Sequence, residues 1–210
     1  MKQFACFKKI GKVLDIGIGD GYLLEKLGCH FELYGIDISA LNIQKTQAIF
    51  TEKKIVAHLK EGCVDGIPFP DNMFDFVIAS DVIEHVDDET LLRGIKEIYR
   101  VLKTGGYFIG TVPANENLHD NTVYCPNCHN TFHRWGHQQT FDVKKIKSIF
   151  SGQGFRVRNI KRITFFGALM NLDTTINKLK FHVGKMLFGL FKRIFAPQWW
   201  LFFKTQKMNK

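Results

Sequence analysis

Three sets of residues in this chain could do chemistry, and each suggests a different kind. CPNCHNTFHRWGH, Cys125 to His137, offers two thiols and two imidazoles spaced as Cys125-x2-Cys128-x4-His133-x3-His137. Thiolate and imidazole are the donors that tetrahedral zinc takes, and four of them close its shell. The expected site is therefore structural Zn2+ held by Cys125, Cys128, His133 and His137. His129 could compete as a ligand, while His119 reads as an ordinary loop residue. DIGIGDG, Asp15 to Gly21, frees the backbone at Gly17, Gly19 and Gly21 to turn sharply and let a ligand approach. Its spacing differs from the dinucleotide fingerprint G-x-G-x-x-G and lacks the Lys-Ser/Thr of a phosphate-binding loop. Asp37 follows at the end of a second apolar run, where a carboxylate can accept hydrogen bonds from both hydroxyls of a ribose. SDVIEH, Ser80 to His85, adds Asp81, Glu84 and His85. Asp81 and His85 are the candidate catalytic groups, and the imidazole titrates in the range a general base needs.

The elements that must position these groups can be read from periodicity. VLDIG (13–17), LYGIDI (33–38), a weaker IVAHLK (55–60), FDFVIAS (74–80) and GGYFIGTVP (105–113) read as buried strands. Between them lie helical patterns: GYLLEKLG, a helix that Ser39 can cap, and DDETLLRGIKEIYRVLK. Strands alternating with helices predict a parallel sheet covered on both faces, an α/β doubly wound fold. Residues 114–140 break the rhythm as a polar insert. Asp142 can then cap a helix through Phe150, and FRVRNIKRI (155–163) alternates like a late strand. Leu179, Val183, Met186, Leu187, Leu190, Phe191 and Ile194 mark one face of a last helix, which Pro197 ends before WWLFF. The expected organisation is a domain over 1–170, including the insert, and a basic amphipathic tail over 171–210.

Composition sets further bounds. Residues 1–142 carry 14 Lys/Arg against 19 Asp/Glu, whereas residues 143–210 carry 15 against Asp173 alone. An acidic body with a basic arm could meet phosphate, anionic lipid or nucleic acid, or simply present a solvated face. Cys6, Cys29 and Cys63 are scattered and only Cys125 and Cys128 are close, which suits a reducing cytosol rather than a disulfide framework. The N-terminus shows no signal-peptide pattern, and no apolar run reaches the length of a spanning helix.

VLDIGIGDG, YGIDIS, IPFPDNMFDFVIASDVIEHV and EIYRVLKTGGYFIGTVP, in that order, resemble the class I S-adenosylmethionine-dependent methyltransferases, in particular their type 11 group, over residues 12 to 113. The resemblance implies a Rossmann-like fold with S-adenosyl-L-methionine as cofactor. It places Asp15, Gly17, Ile18 and Gly19 on the methionine part, Asp37 on the ribose, and Ile38 against the adenine. Where the family often carries an adenine-binding Asp, this chain has Cys63. The Val64 backbone or Asp65 could reach the ring instead, with Ser80 at the end of the fourth strand. Methyl transfer from a sulfonium is an in-line displacement with a neutral leaving group, so positioning supplies much of the rate and few catalytic side chains are expected.

SDVIEH stands where base-amine methyltransferases carry Asn/Asp-Pro-Pro-Tyr/Phe, which argues against base N-methylation. Phe132, Arg134 and Trp135 would give the insert a stacking surface over the acceptor. The expected acceptor is a small, lipid-linked or glycan molecule at the cytoplasmic membrane face. The tail, with WWLFF behind it, would make peripheral contact with anionic lipid. Two alternatives stand beside this: an RNA methyltransferase gripping nucleic acid with the insert and tail, and a non-catalytic cofactor-binding or adaptor protein.

Overall fold

The computed structural model describes residues 11–28, 30–164 and 199–208. In chain order the helices are α1 (Tyr22–Leu27), α2 (Ala40–Glu52), α3 (Asp88–Val101) and α4 (Val143–Gly152). The strands are β1 (Gly11–Ile16), β2 (Phe31–Asp37), β3 (Ala57–Glu61), β4 (Phe74–Ser80), β5 (Leu102–Pro113), β6 (Thr122–Tyr124), β7 (Thr131–His133), β8 (Phe155–Thr164) and β9 (Trp199–Lys207). Seven strands form one sheet in the order β3-β2-β1-β4-β5-β9-β8. β1 to β5 pair in parallel, whereas β9 runs antiparallel to both β5 and β8.

Alternation along the parallel strands explains the two covered faces. Leu14, Ile16, Tyr34 and Ile36 pack with Leu91, Ile95 and Ile98 of α3 and Ile146 and Phe150 of α4. Val13 and Leu33, one residue out of phase, pack on the other face with Leu24 of α1 and Phe50 of α2. The helices start where side chains can accept their orphan amides. Ser39 Oγ accepts from Asn42 N, Asp87 from Thr90 N, and Asp142 from Lys145 N. α3 also fixes the loop after β3: Arg100 donates to the Ile67 and Phe69 carbonyls, both at 2.9 Å, and Glu97 accepts from Ile67 N at 3.0 Å.

The end of the chain corrects the sequence reading. WWLFF does not continue a surface tail; it opens β9, which lies inside the sheet between β5 and β8. Leu201, Phe203, Thr205 and Lys207 point into the interior, at 7% exposure or less. Phe203 pairs with Gly110 of β5, and a Cβ there would come within 2.3 Å of its ring. The domain therefore does not close at residue 170: its sheet is completed by residues 199–207. The missed signal is period two, since Leu201, Phe203 and Thr205 alternate with Phe202, Lys204 and Gln206. The amphipathic helix expected around residues 179–194 lies outside the described residues. Among the described residues, no helix is long and apolar enough to cross a membrane.

Candidate functional site

The sheet order reverses between β1 and β4, and loops at the carboxyl ends of strands flanking such a reversal form the crevice where open α/β sheets bind ligands. The glycine loop leaves β1 there. Gly17, Gly19 and Gly21 all have positive φ, at 74°, 51° and 76°, but they serve different ends. A Cβ on Gly17 would lie 2.7 Å from Val82 Cγ2, and one on Gly21 2.5 Å from Thr46 Cγ2, so these two let the loop pack on its neighbours. A Cβ on Gly19 would meet nothing within 4 Å, so this face of the loop is open. The Gly19 carbonyl accepts from Thr46 Oγ1 at 2.8 Å, and its N–H donates to Asp37 Oδ2 at 3.0 Å. Ile18 is turned into the core over Gly35, so only its backbone is available to a ligand.

Asp37 organises this end of the sheet. Its Oδ1 also accepts from Ser39 N at 2.9 Å and Asn42 Nδ2 at 3.2 Å. With three of its roughly four acceptor directions taken, a ribose bound through both hydroxyls would need one of these donors to give way. Ile38, next in sequence, is 78% exposed, so a flat ring could lie against it. Asp15 lies beneath the loop. Burial, reinforced by the Asp37 carboxylate, raises its carboxyl to about 7.

That shift has a stability consequence. Between the ordinary Asp value and about 7 the folded protein holds a proton that the unfolded chain has released, so the Asp15 contribution to stability falls as pH rises through that window and is flat above it. Thermal unfolding of the ligand-free protein against pH checks this. Asp15→Asn is expected to flatten the decline between about pH 4 and 7 and to be more stable than the parent at higher pH; an unchanged slope would refute the assignment.

After β3, Val64 is buried and packs over Gly94 of α3, while Cys63, expected beside the adenine, is exposed. Asp65 is already engaged: the Cys63 thiol and the Arg93 guanidinium, 3.0 Å away, hold its carboxyl below the usual range against some burial. It faces Arg93 of α3. After β4, Ser80 Oγ shares a 2.8 Å hydrogen bond with Thr111 Oγ1, which also donates to Asp81 Oδ1 at 3.3 Å. Asp81 adopts φ 53°, a left-handed conformation that Asp tolerates better than most residues. Burial raises its carboxyl, opposed by Thr111, Trp200, His137 and His85. Burial lowers the His85 imidazole and His137 adds to this, against the Gly136 backbone and Asp81. At neutral pH this ring is therefore largely unprotonated. Burial pushes the Glu84 carboxyl up to about 8, its own backbone N–H opposing, with Asp81 and Glu116 adding to the rise.

The insert does not assemble the expected metal clip. β6 and β7 form a hairpin in which Thr122 pairs with His133 and Tyr124 with Thr131. Cys125 and Cys128 thus sit in the tip, and His133 at the base. Three residues of strand separate Cys125 from the His133 level, about 10 Å. His137 lies beyond a turn and folds back onto the sheet edge, its ring centroid 4.6 Å from that of His133 and 4.8 Å from that of His85. Among the described residues, the groups that bring three possible metal ligands together are Glu84, His85, His137 and Glu116, His133, His137; neither includes Cys125 or Cys128. Sequence reasoning passed over Glu116. A carboxylate nine residues before the first cysteine carries no spacing signal, and only the fold brings it to the histidines. Phe132 and Trp135 are exposed on the insert, as an acceptor-facing surface would require.

Comparison with known proteins agrees with this geometry. Residues 14–110 match the family Methyltransf_11, a methyltransferase domain. An uncharacterized protein of Methanocaldococcus jannaschii is 32% identical over 159 residues, covering 75% of this chain and 64% of that protein. The demethylmenaquinone methyltransferase of Staphylococcus haemolyticus is 29% identical over 188 residues, covering 78% and 77%. A SAM-dependent methyltransferase from Methanosarcina mazei superposes over the full length of both chains with a TM-score of 0.70 at 18% identity, which speaks to the fold. Sequence match and sheet order together make residues 14–110 a methyltransferase domain of the S-adenosylmethionine-dependent class.

Proposed function

We propose that the protein transfers the methyl group of S-adenosylmethionine by in-line displacement to a small, lipid-linked or glycan acceptor. The observation that carries this reading is one sheet edge holding two complementary sets of groups. The open face of Gly19, Asp37 and exposed Ile38 suit the cofactor, and Asp81 and His85 stand after β4 where an acceptor must meet it. Because the sulfur leaves as a neutral thioether, the protein's main task is to align the acceptor and exclude water. The largely unprotonated His85 and the Thr111-bonded Asp81 are the groups able to take a hydroxyl proton. The Staphylococcus relative is named for a quinone acceptor, which supports a small molecule over nucleic acid. Membrane contact rests on the basic composition of the residues before β9 alone.

The test compares extracts of cells with and without the gene, incubated with the purified protein and methyl-labelled S-adenosylmethionine. The expected result is one labelled small molecule, formed only from the gene-deficient extract and absent with Asp37→Ala. Label in RNA instead would replace the acceptor class, and failure to bind the cofactor would remove the activity.

A further inference from the structure

We propose that Glu84, His85 and His137 bind one divalent transition-metal ion of the zinc class, with Glu116 and His133 as the layer that orients them. One ligand atom from each of the three residues lies within 4.8 Å of the others. Tetrahedral coordination at about 2.1 Å sets ligand atoms about 3.4 Å apart, so small side-chain rotations close the site. Glu84 is the strongest pointer. It is fully buried, and neither carboxylate oxygen meets a hydrogen-bond partner outside its own residue. Ionising this carboxyl without a counter-ion is costly, and a cation between it and two imidazoles would compensate the charge.

The hydrogen bonds around the two rings leave the right lone pairs. His137 Nδ1 lies 2.5 Å from Glu116 Oε2. A ring that donates Nδ1–H to a carboxylate presents Nε2 as a ligand, the usual support for a metal-binding histidine. His85 turns its Nδ1 toward Gly136, 3.7 Å from where a Cβ on that glycine would stand; an Nδ1–H donated to the Gly136 backbone would likewise leave Nε2 free. The neighbouring group of Glu116, His133 and His137 fails the same examination. His133 Nδ1 accepts the His137 backbone N–H at 3.0 Å. A neutral ring must then carry its proton on Nε2, which faces Glu116 Oε1 at 3.4 Å and has no lone pair for an ion. His133 therefore steadies Glu116, which steadies His137.

The ion would join the turn after β4 to the insert, where the Glu84 carbonyl already accepts from Gln138 N at 2.8 Å and Gln139 N at 3.1 Å. Two imidazoles and one carboxylate leave a fourth position for water or an acceptor oxygen, beside Asp81. A ligand role for His85 would pass the proton-accepting task to Asp81.

The test needs neither cofactor nor acceptor, so its outcome is independent of the methyl-transfer reading. Protein stripped with chelator is titrated with Zn2+, and the retained metal is measured by elemental analysis. The expected result is about one ion per chain, kept by the Cys125→Ser/Cys128→Ser double variant. Glu84→Gln and His137→Ala should each weaken binding about 100-fold or more. As a readout without variants, Co2+-loaded parent protein should show d–d bands with no thiolate charge-transfer absorption. No retained metal, loss in the cysteine variant, a thiolate band, or affinity unchanged in both Glu84→Gln and His137→Ala would each overturn the site.

Discussion

Asp37→Ala is expected to lower affinity for S-adenosylmethionine by about 100- to 10,000-fold, read by calorimetric titration. Two hydrogen bonds to a charged acceptor contribute about 1.5–3 kcal/mol each, and about 1.4 kcal/mol is a factor of ten. The same carboxylate anchors Gly19 N–H, Ser39 N–H and Asn42, so its loss also frees the loop that must receive the ligand. Asn at this position is no conservative replacement. Both Asp37 oxygens accept, and an amide would turn an NH2 group toward backbone N–H donors. Thermal unfolding run alongside separates lost recognition from lost structure. A folded Asp37→Ala protein that binds the cofactor as the parent does would remove Asp37 from the ribose site.

Phe203→Ala is expected to cost about 3–5 kcal/mol of folding stability, the range for deleting a fully buried phenylalanine. For a chain of this size that is a fall of about 6–20 °C in Tm. The ring has no exposure and packs with Phe108 of β5 and Phe150 of α4, at centroid distances of 5.7 and 5.2 Å. Gly110 provides the close approach that makes this possible. A surface anchor makes the opposite forecast: there, Phe203→Ala would weaken membrane contact and leave unfolding unchanged. Chemical denaturation of the two proteins in the absence of lipid decides between them, and an unchanged midpoint would mean that β9 adds nothing to the core.

The glycine turn, the acidic strand end and the helix caps were legible because their pattern is local. Gly17, Gly19 and Gly21 declare backbone freedom within five residues, and Asp37 ends its strand in phase with them. Ser39 and Asp142 cap the helices that their positions imply. The linear pattern could not tell which glycine keeps an open face, since Val82 and Thr46, which crowd Gly17 and Gly21, arrive from distant elements. It also could not foresee that Ile18 turns inward while Ile38 stays out. That depends on Gly35 of the neighbouring strand, which makes room for Ile18.

The two larger surprises share a cause. Spacing in CPNCHNTFHRWGH measures contour along the chain, and a hairpin converts contour into separation, carrying Cys125 and Cys128 to its tip while the turn after it returns His137 to the sheet. The partners His137 finds there, Glu84, His85 and Glu116, lie 53, 52 and 21 positions away. In WWLFF, apolar content was visible but its destination was not, because a strand's place in a sheet is set by the edge that remains unpaired. β5 and β8 offered that edge to residues 199–207. The amino-acid sequence by itself therefore determined the α/β class, the glycine loop and the acidic strand end, since each is written in periodicities of a few residues. Tertiary structure alone decided which histidines and carboxylates meet and which strand closes the sheet, since those depend on surfaces assembled from segments far apart in the chain.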